Sequence, residues 1–155
     1  MRNEDFMRQA IDLALENIKN GGGPFGAVIV KDGAVVATGV NRVTANNDPT
    51  AHAEVSAIRA ACTKLGTFDL SGCVIYTSCE PCPMCLGAIY WAHIDKIYYG
   101  ANQLDAASVD FDDSFIYREL ELTPDKRNKP VENILREEAL APFRAWQEKD
   151  DKVRY

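Results

Sequence analysis

The sequence predicts an α/β protein, a three-layer α/β/α sandwich with a mixed five-stranded sheet. Three observations predict it. The chain opens with apolar residues at helical spacing. Two short apolar runs follow, joined by Asp32-Gly33, the two-residue signal of a tight hairpin. After them, short apolar runs alternate with helical stretches, the order of strands joined by crossover helices. This order predicts one antiparallel pair and later parallel crossovers.

Each element has its own local cause. Phe6, Ala10, Leu13, Ala14 and Ile18 recur on one helical face, with Arg8, Asp12 and Glu16 between them, and Asn20-Gly21-Gly22-Gly23-Pro24 stops that helix. Ala27 to Lys31 and Ala34 to Val40 are the arms of the hairpin. A loop rich in Asn, Thr and Asp runs from Asn41 to Thr50. A second helix is expected from Asp48-Pro49, with Asp48 as cap and Pro49 in the first turn, carrying Ala53, Ala57, Ile58 and Ala61 and ending at Gly66. Cys73 to Thr77 is a third strand. Pro81 to Trp91 reads as a helix whose prolines sit in its first turn, where they are tolerated. Lys96 to Gly100 is a fourth strand, Ser114 to Leu120 a short helix, Thr123 to Lys129 a charged surface loop and Ala141 to Lys149 a helix. Val131 to Arg136 reads either as the fifth strand or as the start of a helix. No repeat, low-complexity tract or linker interrupts the pattern, so residues 1–155 are expected to form a single domain.

Composition narrows the function classes. The 155 residues hold 17 Lys+Arg against 23 Asp+Glu, a net charge of -6, which argues against general affinity for nucleic-acid backbones. An apolar share of 46% with 26% charged residues excludes a disordered chain. Met1 to Asn20 lacks the uninterrupted apolar stretch of a signal peptide, and no apolar run approaches the roughly eighteen residues of a membrane span. A cytoplasmic, reducing location without a membrane partner is therefore expected. Five cysteines are an odd number for a disulfide framework, and Cys79, Cys82 and Cys85 crowd into seven residues. That crowding points to metal or redox chemistry.

The chemistry-bearing residues fall in two pieces, His52-Ala53-Glu54 and Pro81-Cys82-Pro83-Met84-Cys85, each at an expected helix N-terminus. One His and two Cys are three ligands for a tetrahedral zinc ion and leave its fourth position open, the mark of a catalytic site. Cys82 and Cys85 are three apart and share a helical face. The unpaired N–H groups of a helix start favour thiolates and lower cysteine pKa values. Two other readings stand beside this one. A redox Cys-x-x-Cys also precedes a helix after a strand, and a closed structural zinc site would draw on Cys79 and leave His52 and Glu54 without a purpose. Cys62 and Cys73 read as small buried hydrophobes and His93 as a helix C-terminal or surface residue.

The two pieces together resemble the signature of the zinc-dependent nucleobase and nucleoside deaminases. Further stretches resemble the bacterial guanine deaminases of that family: Gly22 to Val30, Asn47 to Glu54, Tyr76 to Trp91, Phe111-Asp-Asp-Ser-Phe-Ile-Tyr117 and the final Tyr155. The resemblance implies a cytidine-deaminase-like fold and one zinc ion per subunit, held by His52, Cys82 and Cys85. It implies hydrolysis of guanine to xanthine and ammonia. Glu54 is expected to carry the proton from water to the ring, and Asp113 to bind the base and help protonate the departing amine. Phe25, Asn41 and Trp91 are expected in the base pocket. Tyr155 is expected to close the site of a partner subunit, in a homodimer that exchanges a C-terminal segment of about residues 137–155. Guanosine, cytosine, a triazine and the wobble adenosine of a transfer RNA are alternative substrates for the same chemistry. The last is disfavoured by Glu119, Glu121, Glu132, Glu137 and Glu138 and by the lack of a Lys/Arg cluster. A noncatalytic zinc module that binds a protein partner is the alternative of another class.

Overall fold

A computed structural model describes residues 2–155. The chain divides into two compact units, Met1–Ser114 and Phe115–Tyr155.

The first unit is built on a sheet of four strands among the described residues, in the order β2-β1-β3-β4. Helix α1 (Asn3–Lys19) precedes the hairpin of β1 (Gly26–Lys31) and β2 (Ala34–Val40). Asp32 and Gly33 both take positive φ, 51° and 77°, the backbone that the Asp-Gly pair predicts for a tight hairpin turn. A one-turn helix α2 (Val43–Asn46) leads to α3 (Ala53–Leu65), then β3 (Cys73–Cys79), α4 (Pro83–Trp91), β4 (Lys96–Ala101) and α5 (Gln103–Ala107). Strand β1 runs antiparallel to both β2 and β3, and only β3 and β4 are parallel. The expectation of one antiparallel pair therefore missed the second, because β1 is central and uses both edges.

That central position explains the unbroken apolar run Ala27-Val28-Ile29-Val30, every residue of which is buried. Alternate side chains enter opposite layers. Ala27 and Ile29 join Ala53, Ala57, Ala61, Ile75 and Ile89 beneath α3 and α4. Val28 and Val30 join Phe6, Ala10 and Tyr76 beneath α1. The three α/β/α layers are thus present in this unit. Alanines at every fourth position let α3 lie close on the sheet: a Cβ on Gly39 would stand 2.2 Å from the Ala53 carbonyl oxygen. This close approach fixes the start of α3 against the end of β2.

Helix α1 departs from its expected stripe at one position. Ile18 is half exposed, and Asn17 takes the buried place in line with Phe6, Ala10 and Ala14. The start of α3 also lies later than predicted. His52, not Asp48, is the residue before its first turn. Asp48 instead accepts hydrogen bonds from the backbone and hydroxyl of Thr50, closing a local turn that leaves no carboxylate for a helix cap.

The second unit contains α6 from Phe115 onward (Ser114–Leu120), a single 3₁₀ turn (Pro124–Lys126), α7 (Arg136–Ala139) and α8 (Ala141–Glu148). The five-stranded sheet is corrected to four: residues 131–135 join no ladder. Pro130 lacks an N–H to donate, Leu135 takes a positive φ of 55°, and the next residues turn into α7. No residue from 115 to 155 is fully buried. Among the described residues no helix is long and apolar enough to cross a membrane.

Candidate active site

Two helix starts converge where the sheet ends. His52 stands before the first turn of α3 and Cys82 before that of α4, which follows β3 directly through Glu80 and Pro81. His52 Nδ1 lies 3.5 Å from Cys82 Sγ and 3.5 Å from Cys85 Sγ. The three ligand atoms lie within 4.8 Å of one another. Zinc–nitrogen bonds of about 2.0 Å and zinc–sulfur bonds of about 2.3 Å at a tetrahedral angle put nitrogen and sulfur about 3.5 Å apart. The observed spacing matches, so the residues present fit a zinc ion. Cys79 is not among the grouped ligands.

The electrostatics suit a cation. The Cys85 thiol and the His52 ring hydrogen-bond Cys82 and bring its pKa down to about 4, against the opposing effect of burial. The backbone N–H of Cys85, in the first turn of α4, donates to the same sulfur at 3.5 Å. The hydrogen bond to Cys82 and then burial hold Cys85 far above the ordinary thiol range, so the two sulfurs do not both ionise unaided. The Cys82 sulfur raises the pKa of His52. A dication held by His52, Cys82 and Cys85 would take the place of the protons these groups share.

Glu54 lies in the first turn of α3 and is only 6% exposed. Burial raises the pKa of its carboxyl, while a hydrogen bond from Cys85 pulls the other way. A carboxyl buried beside the ligand cluster is placed to exchange a proton with a group bound there.

A cavity of about 430 Å³ opens over this cluster, lined by His52, Glu54 and Cys82 and, among others, by Phe25, Asn41, Phe111 and Asp113. Phe25 meets Phe111 edge to face, with ring centroids 5.0 Å apart. The Asn41 side-chain oxygen accepts from the Val43 N–H at 3.2 Å, which leaves the amide N–H donors for a ligand. Asp112 holds the start of α6 by accepting from the Ser114 backbone and hydroxyl. Its neighbour Asp113 does not cap that start. Among the described residues, Asp113 Oδ1 is the one buried side-chain polar atom without a hydrogen-bond partner, and burial raises the pKa of its carboxyl.

The structure therefore brings together seven of the nine expected site residues: His52, Glu54, Cys82, Cys85, Phe25, Asn41 and Asp113. Trp91 ends α4 with its side chain 68% exposed and is not among the residues lining the cavity. Tyr155 belongs to the second unit, and its side chain is exposed. Cys73 is buried, as expected, and Cys62 partly so. His93 follows α4 with a positive φ of 61°, in keeping with a helix C-terminal position. Cys79 and Glu80 also line the cavity, and burial pushes the Cys79 thiol up to about 11.

Sequence reasoning passed over Phe111 and Asn17. Phe111 stood within a recognised stretch, but nothing local shows that it meets Phe25. Asn17 did leave a signal, a polar residue in line with the apolar stripe of α1. Its Nδ2 donates to the Gly23 carbonyl at 2.8 Å and to the Asn41 carbonyl at 2.9 Å.

Comparison with known proteins agrees with this geometry. The pattern of the cytidine and deoxycytidylate deaminase zinc-binding region matches residues 1–101. Guanine deaminase of Bacillus subtilis (strain 168) is 54% identical over 100% of both chains. The X-ray structure of guanine deaminase from Bacillus subtilis superposes with a TM-score of 0.97, at 54% identity, covering 100% of this chain and 99% of that one. A tRNA-specific adenosine deaminase of Agrobacterium fabrum is 43% identical, over 64% of this chain and 68% of its own length.

Proposed function

The chain belongs to the cytidine and deoxycytidylate deaminase family, and from that premise we propose that it hydrolyses guanine to xanthine and ammonia. The observation that carries the reading is the joint one. The three-ligand cluster with a buried carboxyl beside it supplies the chemistry. The guanine deaminase relative matches along the whole chain, whereas the tRNA-specific adenosine deaminase matches only part of it.

His52, Cys82 and Cys85 hold the zinc ion. Zinc at an open tetrahedral site supplies acidity, lowering the pKa of water from about 15.7 to around 7. Glu54 takes a proton from the attacking water and delivers it to the ring nitrogen beside the carbon that bears the 2-amino group. The water oxygen bonds to that carbon, the carbon–nitrogen bond to the amino group breaks, and the amine leaves protonated as ammonia. Asp113 accepts from the N–H donors of the base and helps move the last proton; its unpaired buried oxygen supports this role. Asn41 donates to a base acceptor, and Phe25 packs on the ring.

The tail belongs to the same reading. Residues 137–155 cross to a partner subunit in a homodimer, where Tyr155 closes the site and Trp91 takes its place beside the base. The apolar side chains Phe143 and Val153, both well over half exposed, support a partner for this segment. Five unpaired thiols support a cytoplasmic location.

Xanthine formation from guanine by zinc-loaded protein tests the proposal, with guanosine, cytosine and adenine in parallel. Turnover of guanine is the expected result. Turnover of one of the others alone would overturn the substrate and keep the mechanism. No turnover of any would favour a noncatalytic zinc module.

A further inference from the structure

We infer that Asn17 is a positioning residue for the base-binding part of the cavity: its carboxamide sets the spacing between the loop carrying Phe25 and the strand end carrying Asn41. This rests on the reading of Phe25 and Asn41 as base-binding residues.

Asn17 is 7% exposed, on the face of α1 that packs on the sheet. The two hydrogens of its Nδ2 meet two backbone carbonyls, of Gly23 at 2.8 Å and of Asn41 at 2.9 Å. Two neighbouring carbonyl oxygens repel each other, and one carboxamide with two N–H donors satisfies both. The side chain also shapes the loop by bulk. A Cβ on Gly22 would lie 2.4 Å from Asn17 Nδ2 and could enter only by displacing this carboxamide, and one on Gly23 would lie 3.1 Å from Asn41 Cγ. The Asn17 backbone carbonyl accepts from the Gly22 N–H at 2.8 Å. The loop thus wraps one carboxamide before it delivers Phe25 to the cavity. The Asn41 N–H also meets the Phe25 carbonyl, at 3.4 Å, next to the last ladder pair of the hairpin, Gly26 and Val40. Asn17 itself does not line the cavity that holds His52 and Glu54, so it acts through its neighbours.

Zinc-loaded wild type, Asn17→Ala and Asn17→Gln test this through kcat and KM for guanine, zinc content, and amide hydrogen exchange. In Asn17→Ala, KM is expected to rise about tenfold, the scale of one misplaced hydrogen bond, while kcat changes less than about twofold. Zinc stays near one per chain. Exchange quickens at Gly22, Phe25, Asn41 and Val43 and not in α3 or α4. Asn17→Gln keeps both donors and recovers part of the KM. Unchanged KM in folded Asn17→Ala overturns the inference. So does exchange that quickens equally across α3 and α4 with loss of zinc, the signature of a merely structural residue. If wild type forms no xanthine, the substrate reading fails, and exchange alone decides: local quickening supports the positioning role, and none overturns it.

Discussion

The metal-ligand part of the cavity and its base-binding part are built by different means. For the metal, the three ligands and Glu54 hang on the starts of two helices, at the cap or in the first turn, each helix packed into the core through its own buried residues. For the base, Phe25, Asn41, Phe111 and Asp113 come from three loops that meet only through tertiary contacts. Helix starts make good ligand platforms, because spacing along the chain sets spacing in space and the exposed N–H groups favour thiolates. Loops make adaptable walls, because each length and turn can change without disturbing the ligands. The matched family pattern ends at residue 101, so it takes in the metal ligands, Glu54, Phe25 and Asn41 but not Phe111 and Asp113.

That division makes predictions that differ between the two parts. The largest effect belongs to Glu54. Glu54→Gln is expected to lower kcat by about 10³-fold or more while zinc, measured by atomic absorption, stays near one per chain. A zinc-loaded variant that keeps wild-type turnover would remove the proton-carrying role from the metal-ligand part. Asp113→Asn comes next, with a fall in kcat of about 10²-fold and normal zinc. Normal guanine turnover there would mean that the unpaired oxygen serves something other than the base.

Removal of Val153 to Tyr155 should cost about tenfold in kcat/KM, the scale of one aromatic contact with its hydrogen bond, and leave zinc unchanged. If activity stays whole, the base-binding part needs nothing from the tail. The smallest effect concerns the turn that precedes His52. Hydrogen bonds from the Thr50 hydroxyl and backbone, with Arg59 nearby, hold the Asp48 carboxyl below its ordinary value of 3.8. Its stabilising contribution is therefore present above pH 3.8 and fades as pH falls through the lower folded-state value. Urea midpoints of wild type and Asp48→Asn should differ slightly at neutral pH and converge in acid. A gap that persists at low pH would assign the difference to packing, not charge.

The same contrast governed what could be read in advance. His52, Glu54, Cys82 and Cys85 were legible because each pair is close in sequence and belongs to one helix start. Phe25 and Asn41 were found only through family resemblance, since an aromatic after a glycine loop and an asparagine after a strand are ordinary features of cores and turns. Phe111 was missed because its partner lies 86 residues away along the chain, and Asn17 because a polar residue in an apolar stripe does not reveal which carbonyls it meets, one of them 24 residues on. The start of α3 was misplaced because Asp48-Pro49 carries every local mark of a helix start, and only the structure shows its carboxylate engaged by Thr50. Residues 131–135 carry enough apolar side chains for a strand, but a strand needs a partner edge, and none of the four strands pairs with them.

Local chemistry therefore determined the hairpin, the bodies of the longer helices and the ligand set from the sequence by itself, because turn preference, periodicity and ligand spacing act over a few residues; the short α2 and α5 left no such signal. The tertiary structure alone decided that β1 pairs on both edges and that the asparagine closing α1's apolar stripe bridges two loops. It alone decided that Asp113, and not Asp112, is left with a buried oxygen facing no protein donor. These outcomes depend on which surfaces meet, and the energy of a buried donor or acceptor is settled only when the group opposite it arrives.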